Sequence, residues 1–300
     1  MQVLTNALLR TFRLLFSVKQ RLFPHLRLER IIRVIPGLDS IQRQLVVRSK
    51  VDFVEDVLGH KMYLDDKDSL QLSIKRIHEP FETQFVIGQI KPGDVVLDIG
   101  ANIGYYTLQF CRKVGPGGEV YAFEPDPENC NLIRKNLAVN GYANAKVVQA
   151  AVCDITGTVK LYHNPEQKAD HRIFDAGDKR QSFDVPAIQL DSYFLKLART
   201  IDFIKMDIQG AEYRAILGMK ELLLKNSKAV LVTEFEPHSL IKSGADPETY
   251  LRLLSSLGFE LLEIDEALQG TKAVTSAYLL KKYKNRDGYF TNLLCKRPGR

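Results

Sequence analysis

Short apolar runs alternate with segments of helical spacing along most of this chain. Val95–Ile99 places four apolar residues around Asp98 and leads into a Gly-x-Asn-x-Gly turn of Gly100, Asn102 and Gly104. Tyr105 to Phe110 then shows helical spacing, so the pattern reads buried strand, glycine turn, helix start. A second run, Glu119–Phe123, ends in Glu124, and Pro125-Asp126-Pro127 opens a helix that stops at Asn140-Gly141. Ala145–Val152 predicts a third strand leading to Cys153-Asp154, and Thr158–Tyr162 with Phe183–Ile188 a hairpin-like excursion. Leu190-Asp191 begins a helix with Asp191 as its N-cap. Ile201–Met206 predicts a fourth strand ending at Asp207, with Gly210-Ala211-Glu212 opening the next helix. Ala229–Thr233 is a fifth strand with Glu234 at its tip. Asp246-Pro247 caps a helix through Leu257, which Gly258 stops. Phe259–Ile264 and Phe290–Lys296 supply a sixth and a seventh strand, joined by a polar connection.

Upstream, residues 3–34 read as one or two basic amphipathic helices broken near Pro24. Leu4, Leu8, Phe12, Leu15 and Phe16 recur at helical spacing, with Arg10, Arg13, Lys19 and Arg21 between them. Two readings stand for this segment: a helix lying on an anionic membrane surface, or an extension packed on the catalytic domain or on a second copy. Val51–Leu64 and Leu70–Ile77 predict short strands around Asp65-Asp66-Lys67-Asp68, a solvated turn without the Gly and Glu of a calcium loop. Glu79-Pro80 starts a helix that ends near Ile90. The expected organisation is an extension over 1–50, a small cap or access element over 51–90 and the main domain over 91–300.

The 300 residues suffice for one α/β domain with an extension. The net charge of +6 is local: residues 1–50 hold ten Lys and Arg against two acids, +8, so the other 250 sum to −2. The basic balance therefore says little about a catalytic surface, and without an RNA-binding motif it gives no ground for a nucleic-acid partner. Cys111, Cys130, Cys153 and Cys295 form no C-x-x-C pair, which argues against a zinc site or a disulfide framework and fits a reducing cytosol. No signal peptide and no 18-residue apolar run is evident.

An acid at the tip of the second strand is where a ribose diol binds, because a carboxylate accepts from two hydroxyls at once. Glu124 occupies that position; capping the following helix is its other reading. A dinucleotide loop reads G-x-G-x-x-G, whereas this chain has Asn102 and Tyr105 where the second and third glycines belong. Asp98 suits an ammonium group better than a pyrophosphate. The loop thus favours S-adenosyl-L-methionine, with Asp98, Gly100, Asn102, Gly104 and Glu124 as cofactor residues. Asp154, after the third strand, suits the adenine amino group or opens its own turn. His163 and His171 lie in the polar loop of the excursion.

The runs HEPFETQFVIGQIKPGDVVLDIGANIGYYT, YAFEPDPENCNLIRKNL, IDFIKMDIQGAEYRAILG and VLVTEFEP resemble the FkbM family of S-adenosylmethionine-dependent methyltransferases. The resemblance covers Lys61 to Glu263, about two thirds of the chain. Many members have Glu at the position of Gln209, so that residue is not counted as an acid or a metal ligand. The resemblance implies a Rossmann-like class I methyltransferase with a seven-stranded, mostly parallel sheet, order 3-2-1-4-5-7-6, and helices on both faces. It also implies methylation of a hydroxyl on a sugar, glycolipid or polyketide-like acceptor, with the stretch around Glu79 flanking the methionine end. Strand tips carry the chemistry in such sheets. Asp207 is the first candidate for base or hydroxyl orienter, Glu234 the second and His238 the third, with Lys205 and Glu212 close by. Asp207, Glu212 and Glu234 could also hold a divalent ion, although no spacing demands a metal. An RNA methyltransferase, a cofactor-binding scaffold without catalysis and an oxidoreductase are the rival readings.

Overall fold

A computed structural model of the chain describes residues 52–195, 199–266 and 268–299; the segment 3–34 lies outside them. The chain divides into two compact units, one ending at His78 and taking in Glu166–Lys168, the other holding Glu79–Pro165 and everything from Ala169.

In the first unit, β1 (Phe53–Val57) and β2 (His60–Tyr63) form an antiparallel hairpin. It turns at Leu58-Gly59, both with positive φ, as a tight two-residue hairpin requires. The strand expected over Leu70–Ile77 is instead one helical turn, α1 (Leu72–Lys75). Asp68 decides this locally, its carboxylate accepting from the N–H groups of Leu72 and Ser73 at 2.8 and 3.0 Å. Asp65 likewise accepts from the backbone of Lys67 and Ser69. The acidic turn is therefore a pair of local caps. Asp65 and Asp68 are buried rather than solvated, and burial pushes the Asp68 carboxyl up to about 6.

The second unit begins α2 (Pro80–Gln89), β3 (Val95–Ile99), α3 (Tyr105–Val114), β4 (Glu119–Phe123), α4 (Pro127–Val139) and β5 (Ala145–Val148). There follow β6 (Ala151–Val152), β7 (Gly157–Tyr162), β8 (Ser182–Ile188), α5 (Leu190–Tyr193), β9 (Phe203–Met206), α6 (Glu212–Leu217) and α7 (Lys220–Lys225). It closes with β10 (Val230–Phe235), α8 (Pro237–Lys242), α9 (Pro247–Ser256), β11 (Glu260–Asp265), β12 (Gly270–Ala273), α10 (Ser276–Lys282) and β13 (Thr291–Lys296). One sheet of eight strands has the order β12-β11-β13-β10-β9-β3-β4-β5. Neighbours from β5 to β10 pair parallel, and β13 pairs antiparallel with both β10 and β11.

This is a Rossmann-like α/β fold, with one correction to the expected seven-stranded sheet. An eighth strand, β12, extends the edge beyond β11, and α10 follows it within what looked like a polar connection. The third strand also breaks after Val148. Its continuation, β6, pairs with β8 in a separate sheet of order β6-β8-β7. Asp191 is not the N-cap of α5, a place held by Gln189. Its carboxylate accepts instead from the N–H groups of Glu221 and Leu222 at the start of α7.

Both faces of the central strands are buried, which is why β3 and β10 read as near-continuous apolar runs. Leu97, Ile99, Phe123, Ile204, Met206, Leu231 and Phe235 point into one core. There Phe235 stacks on Tyr250 of α9 at 6.4 Å. The opposite face carries Phe203, which meets Phe110 of α3 edge-on at 6.0 Å. Polar residues enter the sheet on that second face. Asp98 is the register partner of Lys205, and Lys205 of Val232, so Glu234, two residues on, shares their side.

Candidate functional site

The turn after β3 is left-handed at alternate residues: Gly100 at φ +83°, Asn102 at +50° and Gly104 at +89°. The N-cap of α3 is Gly104, not Asn102. The turn is pressed against the end of β9, where a Cβ on Gly100 would lie 1.9 Å from the carbonyl oxygen of Asp207. Only glycine fits there.

Glu124 lies under this turn. Its Oε2 accepts from the N–H of Asn102 at 2.8 Å and its Oε1 from the N–H of Asp126 at 3.0 Å. The cap of α4 is Asp126, whose carboxylate accepts from the N–H of Asn129. Burial pushes Glu124 up to about 8, although both backbone donors favour its charged form. The side-chain carbonyl oxygens of Asn102 and Asn129 are buried without a hydrogen-bond partner. Unmatched acceptors around an acid call for a ligand that brings donors.

Across the sheet, Asp98 accepts from the Thr107 hydroxyl at 2.5 Å and is raised to about 6 by burial, against the pull of Thr107 and Lys205. Lys205 is 5% exposed; its ammonium lies 3.4 Å from Asp207 and 4.4 Å from the Tyr106 ring centroid. Burial opposes that charge, but Asp207, Glu82, Asp98 and Glu79 outweigh it and hold the lysine protonated. Glu82 receives the Asn292 amide and is pushed up to about 8, chiefly by burial and then by Glu79. Thr83 on the same helix reaches the hydroxyls of Tyr105 and Tyr106, at 3.2 Å each. Glu79, the N-cap of α2, adopts φ +40°.

Glu82, Thr83, Thr107 and Asn292 were not singled out from the sequence. A signal for two of them existed, because Glu79, Glu82 and Thr83 stand at i, i+3 and i+4 on one helix.

At the tip of β9, Asp207 accepts from the Gln209 amide at 2.8 Å. Its side chain is 36% exposed, so it remains reachable from solution. Glu212 is committed elsewhere, accepting from the N–H of Ile208 at 3.0 Å, and burial pushes it up to about 7. Glu234 lies inside β10 rather than beyond it, is 7% exposed and has one carboxyl oxygen without a partner. Burial, then Asp207, Glu212 and Glu236, raise it well above the usual carboxylate range. His238 is half-buried on α8, its Nδ1 2.9 Å from the Asn285 side-chain oxygen.

Asp154 does not project from the main sheet, because the chain leaves it after β5. Its carboxylate forms an ion pair with Arg214 of α6 at 2.8 Å, which holds it below the usual range although burial opposes this. Among the described residues, the side chains with metal-like convergence are Asp126, His163 and His171, not Asp207, Glu212 and Glu234. In His171, Nδ1 accepts from the Asn164 N–H at 3.1 Å, so in the neutral ring Nε2 carries the proton and points at Asp126, 3.8 Å away. A protonated nitrogen has no lone pair for a metal.

With this geometry in view, a family model described as the methyltransferase FkbM domain matches residues 98–261. A second, protein-L-isoaspartate(D-aspartate) O-methyltransferase, matches residues 17–155. The chain is 30% identical to the 2-O-methyltransferase NoeI of Sinorhizobium fredii, over 61% of this chain and 82% of that protein. It is 41% identical to the 31-O-demethyl-FK506 methyltransferase FkbM of Streptomyces tacrolimicus, over 61% of this chain and 80% of that one. A solved SAM-dependent methyltransferase from Aquifex aeolicus is also similar, at 19% identity and a TM-score of 0.39, covering 72% of this chain and 90% of that one. The glycine turn, its acids and the strand-tip motif of Asp207 all fall within the matched stretch, and the chain belongs to the FkbM-domain family of S-adenosylmethionine-dependent methyltransferases.

Proposed function

We propose that the protein transfers the methyl group to a hydroxyl of a neutral, sugar-like or polyketide-like acceptor, with Asp207 orienting that hydroxyl and accepting its proton. One observation carries the reading: the Gly100 turn and the backbone of Asp207 are in direct contact. A group held over the turn thus lies beside a strand-tip carboxylate that is both partly exposed and anchored by donors.

The residues present fit the cofactor. The partnerless carbonyls of Asn102 and Asn129 accept donors such as ribose hydroxyls. Glu124 Oε2 uses one acceptor site on the Asn102 N–H and retains another for a hydroxyl, while Oε1 accepts from the Asp126 N–H and, at 3.5 Å, from the Asn129 amide. Asp98 and Glu79 offer carboxylates to the methionine ammonium. Asp154 keeps its adenine role only alongside Arg214, which already occupies one of its oxygens. When bound, S-adenosylmethionine supplies an electrophilic methyl on a positively charged sulfur.

The protein's own part is positional and protonic. Asp207 would hold the acceptor hydroxyl toward the methyl that the bound cofactor supplies, and its carboxylate would take the hydroxyl proton. In-line placement supplies most of the acceleration, and a base about 10²–10⁴-fold. Glu234 is the weaker candidate for that base, because it is 7% exposed and burial, then Asp207, Glu212 and Glu236, disfavour its charged form. His238 is tied to Asn285 and ranks third.

Asp207, Glu82, Asp98 and Glu79 face Lys205, and Asp207, Glu212, Glu236 and Glu79 face Glu234. Such a field disfavours phosphorylated acceptors and polyanions, which speaks against RNA as substrate. The relatives' printed names, a 2-O- and a 31-O-demethyl-FK506 methyltransferase, support oxygen as the acceptor atom.

The deciding experiment is transfer of a labelled methyl to matched panels of neutral glycosides, hydroxylated macrocycles, sugar phosphates and RNA. Label on neutral hydroxyls alone supports the reading. Preferential labelling of RNA or phosphates overturns it.

A further inference from the structure

We infer that Gln209 is a positioning residue that sets the ionisation and aim of Asp207; the inference rests on the proposed role of Asp207 above. The Gln209 amide donates to Asp207 Oδ1 at 2.8 Å, while Oδ2 faces the Lys205 ammonium at 3.4 Å. A neutral donor fixes one oxygen and a cation stabilises the other. The carboxyl is thereby held in one orientation while its side chain stays 36% exposed.

The backbone is bent to make this contact. Gln209 sits at φ +55°, a left-handed conformation that is strained for a residue with a Cβ. The strain is over-determined from both sides. Glu212 accepts from the Ile208 N–H at 3.0 Å and closes the turn from α6. Gly210, at φ +103°, is pressed so close to α8 that a Cβ there would lie 2.7 Å from the Ser239 carbonyl oxygen. A long side chain in the left-handed region, kept there by its neighbours and folded back onto a reactive carboxylate, marks stored strain serving function.

The surroundings show why a donor matters. Asp207 is faced by Lys205 from β9, Asp98 from β3, Glu82 from α2, Glu212 from α6 and Glu234 from β10, and Glu79 in turn faces Lys205, Glu82 and Glu234. Lys205 is the cation of that group and is shared among Asp207, Glu82, Asp98 and Glu79. An amide at position 209 adds a donor specific to Asp207 without adding charge, whereas a carboxylate there would add a like charge at hydrogen-bond distance.

The test compares wild type, Q209E and the donor-free Q209M by pH profile of kcat/KM. In parallel, side-chain ¹³C-carboxyl titration of Asp207 is read on the S-adenosylhomocysteine-bound protein, where turnover is not needed. In Q209E the acid limb and the Asp207 titration should both move up by at least about one pH unit, so that kcat/KM falls about tenfold more on the acid side of the wild-type limb than on the plateau above it. Q209M should move both in the same direction by less.

An Asp207 titration that stays put in Q209E overturns the inference whatever the activity. The same holds for a kinetic shift that persists in the Asp207→Asn background. If the titration moves but no hydroxyl acceptor is ever methylated, the coupling between the two residues stands and the proposed acceptor chemistry falls.

Discussion

Lys205 lies directly opposite Asp98 in the parallel ladder of β3 and β9, both side chains buried on the face that carries Tyr106. The pairing links the glycine turn after β3 to the strand-tip acid through an internal cation. Removing it should leave the carboxylates around it uncompensated. Lys205→Met is expected to destabilise the fold by about 3–5 kcal/mol at pH 7 in urea unfolding. The deficit should shrink at pH 5, where Asp98 and Glu82, raised to about 6 and about 8, are protonated in either protein. A deficit independent of pH would mean that packing rather than charge compensation is lost.

Glu124 gives a pH signature of its own. Its folded-state value near 8 lies above the ordinary 4.5, so between those pH values the folded form binds more protons than the unfolded one. Its contribution is fully present below pH 4.5 and is lost as pH rises towards 8. Glu124→Gln should remove up to about 1.4 kcal/mol per pH unit of that slope. Ribose hydroxyls favour the carboxylate, so S-adenosylhomocysteine should bind wild type with release of a proton and more tightly as pH climbs to 8. Calorimetry in buffers of different ionisation enthalpy reads this directly; equal proton release in Glu124→Gln rejects it.

Gly100 and Gly93 form a controlled pair. Both have φ near +85°, at +83° and +89°, yet a Cβ at 93 meets nothing within 4 Å while one at 100 strikes the Asp207 backbone. Gly93→Ala should cost about 1 kcal/mol, for the backbone conformation alone. Gly100→Ala should cost about 2–4 kcal/mol, since overpacking adds to the same conformational term. It should also abolish the S-adenosylhomocysteine-induced rise in melting temperature. Equal costs at the two positions would contradict the contact between the turn and β9.

Asp207→Asn should lower kcat by about 10²–10⁴-fold while leaving stabilisation by S-adenosylhomocysteine intact. At 100 times its dissociation constant that stabilisation is about 2.7 kcal/mol. Loss of both together would make Asp207 a cofactor ligand instead of a base.

The parallel half of the fold was open to reading because its signals are local. Asp98, Glu124 and Asp207 stand at the strand-to-turn junctions that the apolar runs announced, and Gly258 and Asn140-Gly141 stop the helices they follow. What escaped depends on partners distant in sequence. Nothing near Asp154 announces Arg214, and nothing near Asp191 announces that its carboxylate serves α7. The break after Val148 was hidden because β5 and β6 are both apolar and merge into one run. The buried Asp65 and Asp68 look solvated until their backbone donors are seen.

One of those distant partners bears on how the chain must assemble. Glu266, just past β11, accepts from the N–H groups of Phe81 and Glu82 at 3.0 and 2.8 Å, bridging separations of 185 and 184 residues. The helix bearing Glu79, Glu82 and Thr83 has no side-chain cap of its own. Its first turn therefore stays open during synthesis until residue 266 has emerged from the ribosome. β11 reaches the sheet only through β13, whose last residue is Lys296. The cofactor-side strands can zip up as they appear, but the helix beside them is finished late and from the other end of the sequence. Folding here is a loop that closes, and a nascent chain halted anywhere before Lys296 carries an unfinished site.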